Sequence, residues 1–114
     1  MNNSKISIRT STGSKVIDFK KIMYCIGDGR YTKIFLDNGF SLLNAKTLKS
    51  YETILPESSF FRIHKSCLVN LDFIKEFKVN EDRIVILTNN TKLSIAKRRV
   101  KLFAQWLYES YPLV

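Results

Sequence analysis

Apolar residues fall in short alternating runs along most of this chain, and in two places they fall on a helical period. From Lys5 to Thr10, Ile6 and Ile8 share one face, as in a half-buried strand. Val16-Ile17 and Ile22 to Ile26 follow as short apolar runs, bounded by Thr12-Gly13-Ser14 and Gly27-Asp28-Gly29. Tyr31 to Leu36 and Phe40 to Leu43 flank Asp37-Asn38-Gly39. Asn-Gly between two apolar runs predicts a tight hairpin whose two turn positions both take positive φ. Later strands are expected over Lys65 to Asn70, Phe73 to Val79, Arg83 to Leu87 and Lys92 to Ile95. Polar clusters such as Asn80-Glu81-Asp82 and Asn89-Asn90-Thr91 separate them.

The helical stretches are short. Leu48, Tyr51, Ile54 and Leu55 make one stripe, with Thr47 placed to cap its start and Pro56 to stop it. From Arg98 a closing helix is expected, with Val100, Phe103 and Leu107 on one face and Leu102 and Trp106 beside them. Phe60, Phe61, Ile63, Leu68, Val69, Leu71, Phe73 and Ile74 are the core candidates, and aromatics at such positions pack rather than stack on bases. The expected architecture is mainly β: many short antiparallel strands with one or two helices, in a single domain over residues 1–114 with its core at 5–107.

Charge changes the picture more than composition does. With 19 Lys and Arg against 10 Asp and Glu, the chain carries a net +9, which favours polyanionic partners. The excess is not evenly spread. No acid interrupts the stretch between Phe60 and Leu71, which holds Arg62, His64 and Lys65. None interrupts Arg83 to Tyr108, which holds Lys92, Lys97, Arg98, Arg99 and Lys101. Such segments suggest a binding face.

Other classes find little support. The longest apolar runs are too short for a membrane-spanning helix, and Met1 to Lys5 lacks a signal-peptide core, so a cytoplasmic location is expected. The 2 Cys and 1 His do not make a metal set, and Cys25 and Cys67 read as small buried hydrophobes in a reducing compartment. No nucleophile motif or carboxylate pair offers an enzyme mechanism, so neither a cofactor nor a small-molecule substrate is expected. The Gly27-Asp28-Gly29 motif lacks the third glycine and following helix of a nucleotide site.

Arg98 stands between an expected strand and an expected helix, where a side chain can leave the body of the fold. Its planar fork suits guanine, which makes it the first candidate base reader. Lys97, Arg99 and Lys101 are assigned to phosphates, because consecutive residues cannot all face one groove. Arg30, Thr32 and Lys33, in a loop after the glycines, are further donors toward phosphate or base. Asn70 and Ser66 read as structural. Arg62 reads either as a DNA contact or as the partner of Glu57 or Asp72.

The stretch from Phe60 to Asn70, FFRIHKSCLVN, resembles the FxRxH(R/K)Sxx(V/I)N core of LytTR domains. Ile22 to Thr32, Thr47 to Pro56 and Leu93 to Arg99 are similar to further blocks of that family, in family order. Together the blocks lie within Lys5 to Leu107. Ile26 stands where the family often has an acid, Arg30 where Asn is common, and Ala96-Lys97 replaces a frequent Ser-Arg. The resemblance implies small antiparallel β-sheets, a short helix between strands and a C-terminal helix.

The implied function is sequence-specific binding of double-stranded DNA as the output domain of a bacterial transcription regulator in a two-component system. Loops would enter successive major grooves of tandem half-sites, with a homodimer on DNA and a receiver or sensor domain outside this chain. The resemblance makes the His64-Lys65 loop a second contact element, with Lys65 reaching a base edge or phosphate. His64 reads equally as a hydrogen-bonded structural residue. Two other readings remain. One is a free-standing interaction module that dimerises with or sequesters a partner regulator. The other is single-stranded RNA binding, which needs aromatics exposed on a sheet face.

Overall fold

The computed structural model describes residues 3–80 and 82–114. Met1, Asn2 and the Glu81 position of the expected Asn80 to Asp82 turn lie outside the described residues.

Strands β1 (Lys5–Thr10) and β2 (Gly13–Asp18) form an antiparallel hairpin in which Ile6 faces Ile17 across the pair. A central five-stranded sheet follows, built from β3 (Ile22–Asp28), β4 (Tyr31–Leu36), β5 (Ser41–Asn44), β6 (Phe60–His64) and β7 (Cys67–Asn70). Its order is β5-β4-β3-β7-β6, with every neighbouring pair antiparallel. Helix α1 (Leu48–Ile54) joins β5 to β6. Strands β8 (Ile74–Lys78), β9 (Ile84–Leu87) and β10 (Lys92–Ser94) make a three-stranded sheet, and α2 (Val100–Ser110) closes the chain. This is the mainly β arrangement of small antiparallel sheets with a short helix between strands and a C-terminal helix that the sequence implied.

The central sheet is buried on both faces. On one face Ile22, Cys25, Ile34, Phe60 and Leu68 meet Ile8 and Ile17 of the first hairpin and Leu48, Tyr51 and Leu55 of the α1 segment. On the other, Met23, Ile63, Cys67 and Val69 meet Val85, Leu87, Leu93, Ile95, Phe103 and Leu107. Phe103 is the centre of that second core, with the rings of Phe61 and Phe77 edge-on at 5.5 and 5.0 Å. Both cysteines are reduced and buried, one in each core, and burial pushes both thiols upward, Cys67 to about 12.

Local chemistry explains the helix ends. Thr47 Oγ1 accepts from Ser50 N at 3.2 Å, and α1 stops before Pro56. Asn70 works as expected: its Oδ1 accepts from Asp72 N at 3.0 Å, while Nδ2 donates to Ile22 O at 2.8 Å.

Several expectations need correction. Phe60–His64 is a strand in its own right, so β6 and β7 form a hairpin where a single strand from Lys65 was expected. Of the Asn38-Gly39 pair only Gly39 takes positive φ, at 88°. Leu36 O accepts from Gly39 N, and Leu36 N then donates to Phe40 O, which is a three-residue loop closed by a glycine bulge rather than a two-residue turn. Ile54 lies off its helical stripe and is exposed, and α2 begins at Val100, after a 3₁₀ turn (Lys97–Arg99) that holds Arg98 between strand and helix as expected.

Candidate nucleic-acid interface

Sheet register brings the basic segments to one end of the molecule. Asp28 pairs with Tyr31, leaving Gly29 and Arg30 at the β3–β4 tip. His64 pairs with Cys67, leaving Lys65 and Ser66 at the β6–β7 tip. Because β3 and β7 are antiparallel neighbours with Ile26 opposite Cys67, both tips leave the same edge of the sheet. Gly27 N donates to Ser66 O at 2.9 Å and ties them together. On the far side, Ala96 N donates to Ile63 O at 2.8 Å and Arg99 Nη1 donates to Arg62 O at 3.0 Å. The Lys97–Arg99 turn therefore lies along β6, next to the Lys65 tip.

The start of α2 is electrostatically unusual. Lys97, Arg98 and Arg99 form its lead-in and Lys101 its first turn, with no acidic residue there and no side-chain cap. A helix N-terminus carries partial positive charge and unpaired N–H groups, so each nearby cation is unfavourable by about 0.3–1 kcal/mol where an anion would be favourable. Here Arg99 N already donates to Ala96 O and Val100 N to Lys97 O, so a phosphate placed there acts mainly on the cations.

The nominated side chains divide into two groups. Arg98, Lys97, Lys101, Lys65, Arg30 and Lys33 are exposed. Lys33 lies within β4 rather than in a loop, with its ammonium 5.2 Å from the Phe35 ring centre and that ring stacked on Tyr24 at 4.3 Å. The others are committed to the fold. Thr32 is fully buried and its hydroxyl donates to Lys46 O at 2.7 Å, which removes it from the surface donors. Arg99 is half-buried and spends its Nη1 on Arg62 O. His64 Nδ1 accepts from Ser66 N at 3.2 Å and lies 3.0 Å from Ser66 Oγ, so this ring nitrogen shapes the turn.

Arg62 pairs with neither Glu57 nor Asp72. Its Nη1 donates to Glu52 Oε1 at 2.9 Å, Nε to His64 O at 3.1 Å and Nη2 to Lys65 O. A residue not nominated from sequence joins the same end: Lys92 of β10 lines a shallow cleft with Ile26, His64 and Ser66. Its signal was the acid-free stretch from Arg83 to Tyr108. No helix among the described residues is long and apolar enough to cross a membrane.

The chain is 26% identical over 107 residues to the sensory transduction protein LytT of Bacillus subtilis, covering 91% of this chain and 44% of that protein. It is 24% identical over 115 residues to the transcriptional regulatory protein NatR of the same organism, covering 93% of this chain and 46% of that protein. It thus spans less than half the length of these curated relatives. A LytTr DNA-binding domain from Bacillus cereus superposes with a TM-score of 0.78 at 22% identity, covering 93% of this chain and 98% of that one, which shows the shared fold. The model of the LytTr DNA-binding domain family matches residues 12–108, and the chain belongs to that family.

Proposed function

We propose that this domain binds double-stranded DNA at specific sequences, as the output part of a bacterial transcription regulator of a two-component system. The receiver or sensor lies outside this chain. Loops at this end of the sheet enter successive major grooves of tandem half-sites, and two copies sit on one target. Arg98 reads a base edge, Lys65 a base edge or phosphate, and Lys97 and Lys101 hold phosphates. Arg30, Lys33 and Lys92 extend the basic surface. The observation that carries this reading is the cation cluster at the uncapped, acid-free start of α2. Family membership supports it independently.

Selection of binding sites from random duplexes, repeated at two salt concentrations, tests the reading. One enriched motif is expected, with affinity falling on added salt at a slope of about −0.9 per phosphate contact. No enrichment and no salt dependence would remove it.

A second reading has its own observation. Phe40 and Leu43 are 71% and 68% exposed, at and just before the edge strand β5, where another regulator could pair. Concentration-dependent sedimentation with and without the enriched duplex separates the two: association in its absence, lost on Leu43→Lys, favours pairing.

A further inference from the structure

Arg62 lies beneath the Lys65 tip, and each of its guanidinium nitrogens donates to a protein group. Two of its nitrogens hold consecutive backbone carbonyls, those of His64 and Lys65, and the third meets Glu52 Oε1 at 2.9 Å. Its own carbonyl receives Arg99 Nη1 at 3.0 Å. One residue thereby links the turn that carries Lys65, the turn that carries Arg98, and helix α1 through Glu52. The Arg62 side chain is 18% exposed in this pairing and that of Glu52 44%. A pair this open contributes little to global stability. Its geometric effect is larger, because a planar fork holding two carbonyls and a carboxylate leaves the turn little freedom.

We propose that Glu52 and Arg62 are positioning residues that fix the Lys65 and Arg98 turns in one spatial relation, so that base selectivity depends on a carboxylate that does not contact DNA. The inference rests on the DNA-binding reading. It runs against simple electrostatics, which supplies the test. A carboxylate close to a polyanion interface repels it, so Glu52→Gln should tighten all DNA binding if the side chain is only a surface charge. If Glu52 instead holds Arg62 in place, its removal frees the guanidinium and lets the Lys65 turn shift against the Arg98 turn, which Arg99 still ties to the Arg62 backbone carbonyl.

The experiment is competition binding of the duplex enriched by selection against a scrambled duplex, over a range of salt, with thermal unfolding of each variant. Glu52→Gln is expected to keep its melting temperature and to bind scrambled DNA no more weakly than the wild type. Its target-to-scrambled ratio should fall about tenfold, the scale of one charge-assisted hydrogen bond. Arg62→Lys keeps the charge but not the fork and should lose a similar ratio. In the double variant the losses should fall short of additive, as for residues acting through one another. Arg62→Gln should leave the salt slope unchanged, whereas Lys65→Gln should reduce it by about 0.9. Tighter binding of Glu52→Gln to both duplexes alike, or a salt slope reduced in Arg62→Gln, overturns the positioning role. A wild-type protein with no preference for its enriched duplex overturns the DNA-binding reading itself, and the positioning role with it.

Discussion

The Tyr51 hydroxyl of α1 donates to Asn44 Oδ1 at 2.8 Å, and Asn44 Nδ2 donates onward to Arg9 O at 3.0 Å. Both side chains are buried, so this relay fastens α1 and the first hairpin to β5. Tyr51→Phe leaves the Asn44 oxygen buried without its donor and is expected to cost about 1–3 kcal/mol in urea unfolding. A change within error of zero would mean that water replaces the hydroxyl.

The same tyrosine makes the fold sensitive to alkali. Burial raises Tyr51 from its ordinary 10.0 to about 12, and Cys67 from 9.0 to about 12. The folded state therefore keeps these protons after the unfolded chain has lost them. The resulting stability is complete below the unfolded values and drains away as pH rises through the interval from 9 or 10 to about 12. Melting temperature should fall over that interval, and Tyr51→Phe should flatten the part above 10.

Gly27 packs against α1 so closely that a Cβ there would lie 2.7 Å from Leu48 Cβ. Its backbone is not left-handed, so the requirement is space rather than φ. Gly27→Ala should cost about 1–3 kcal/mol by overpacking, read from the shift in unfolding midpoint. An unshifted midpoint would show that α1 yields without penalty.

Adjacent arginines should behave differently. Arg98→Ala is expected to weaken target binding by about 1–3 kcal/mol and relax preference at one base pair, with the melting temperature unchanged. Arg99→Ala should lower the melting temperature, because it removes the bond to Arg62 O. If Arg98→Ala keeps the wild-type ratio of target to scrambled binding, the base reader is another side chain.

The alternating strands, the Thr47 cap and the structural role of Asn70 were all legible in the sequence, because each depends on neighbours a few residues away. The β6 strand was not. Phe60 enters one core, while Phe61 and Ile63 serve the other, and a bulge between Arg62 and His64 breaks the alternation. Phe61 to His64 does alternate apolar and polar, but over too few residues to set a strand apart from a loop. For Thr32 the signal existed and was overridden: Ile34 lies two positions on, so a strand reading places both on the core face. The difference between Arg98 and Arg99 depends on a carbonyl 37 residues away, which no local pattern contains. The same is true of Glu52, ten positions before the arginine it holds.

Strand β7 is buried along its whole length, with Leu68 in one core and Cys67 and Val69 in the other. It is a common wall between two hydrophobic rooms, and neither can be emptied without stripping a face from the other. The chain should therefore melt as one cooperative unit, with the first hairpin and the C-terminal helix lost at the same temperature despite lying on opposite sides of the sheet.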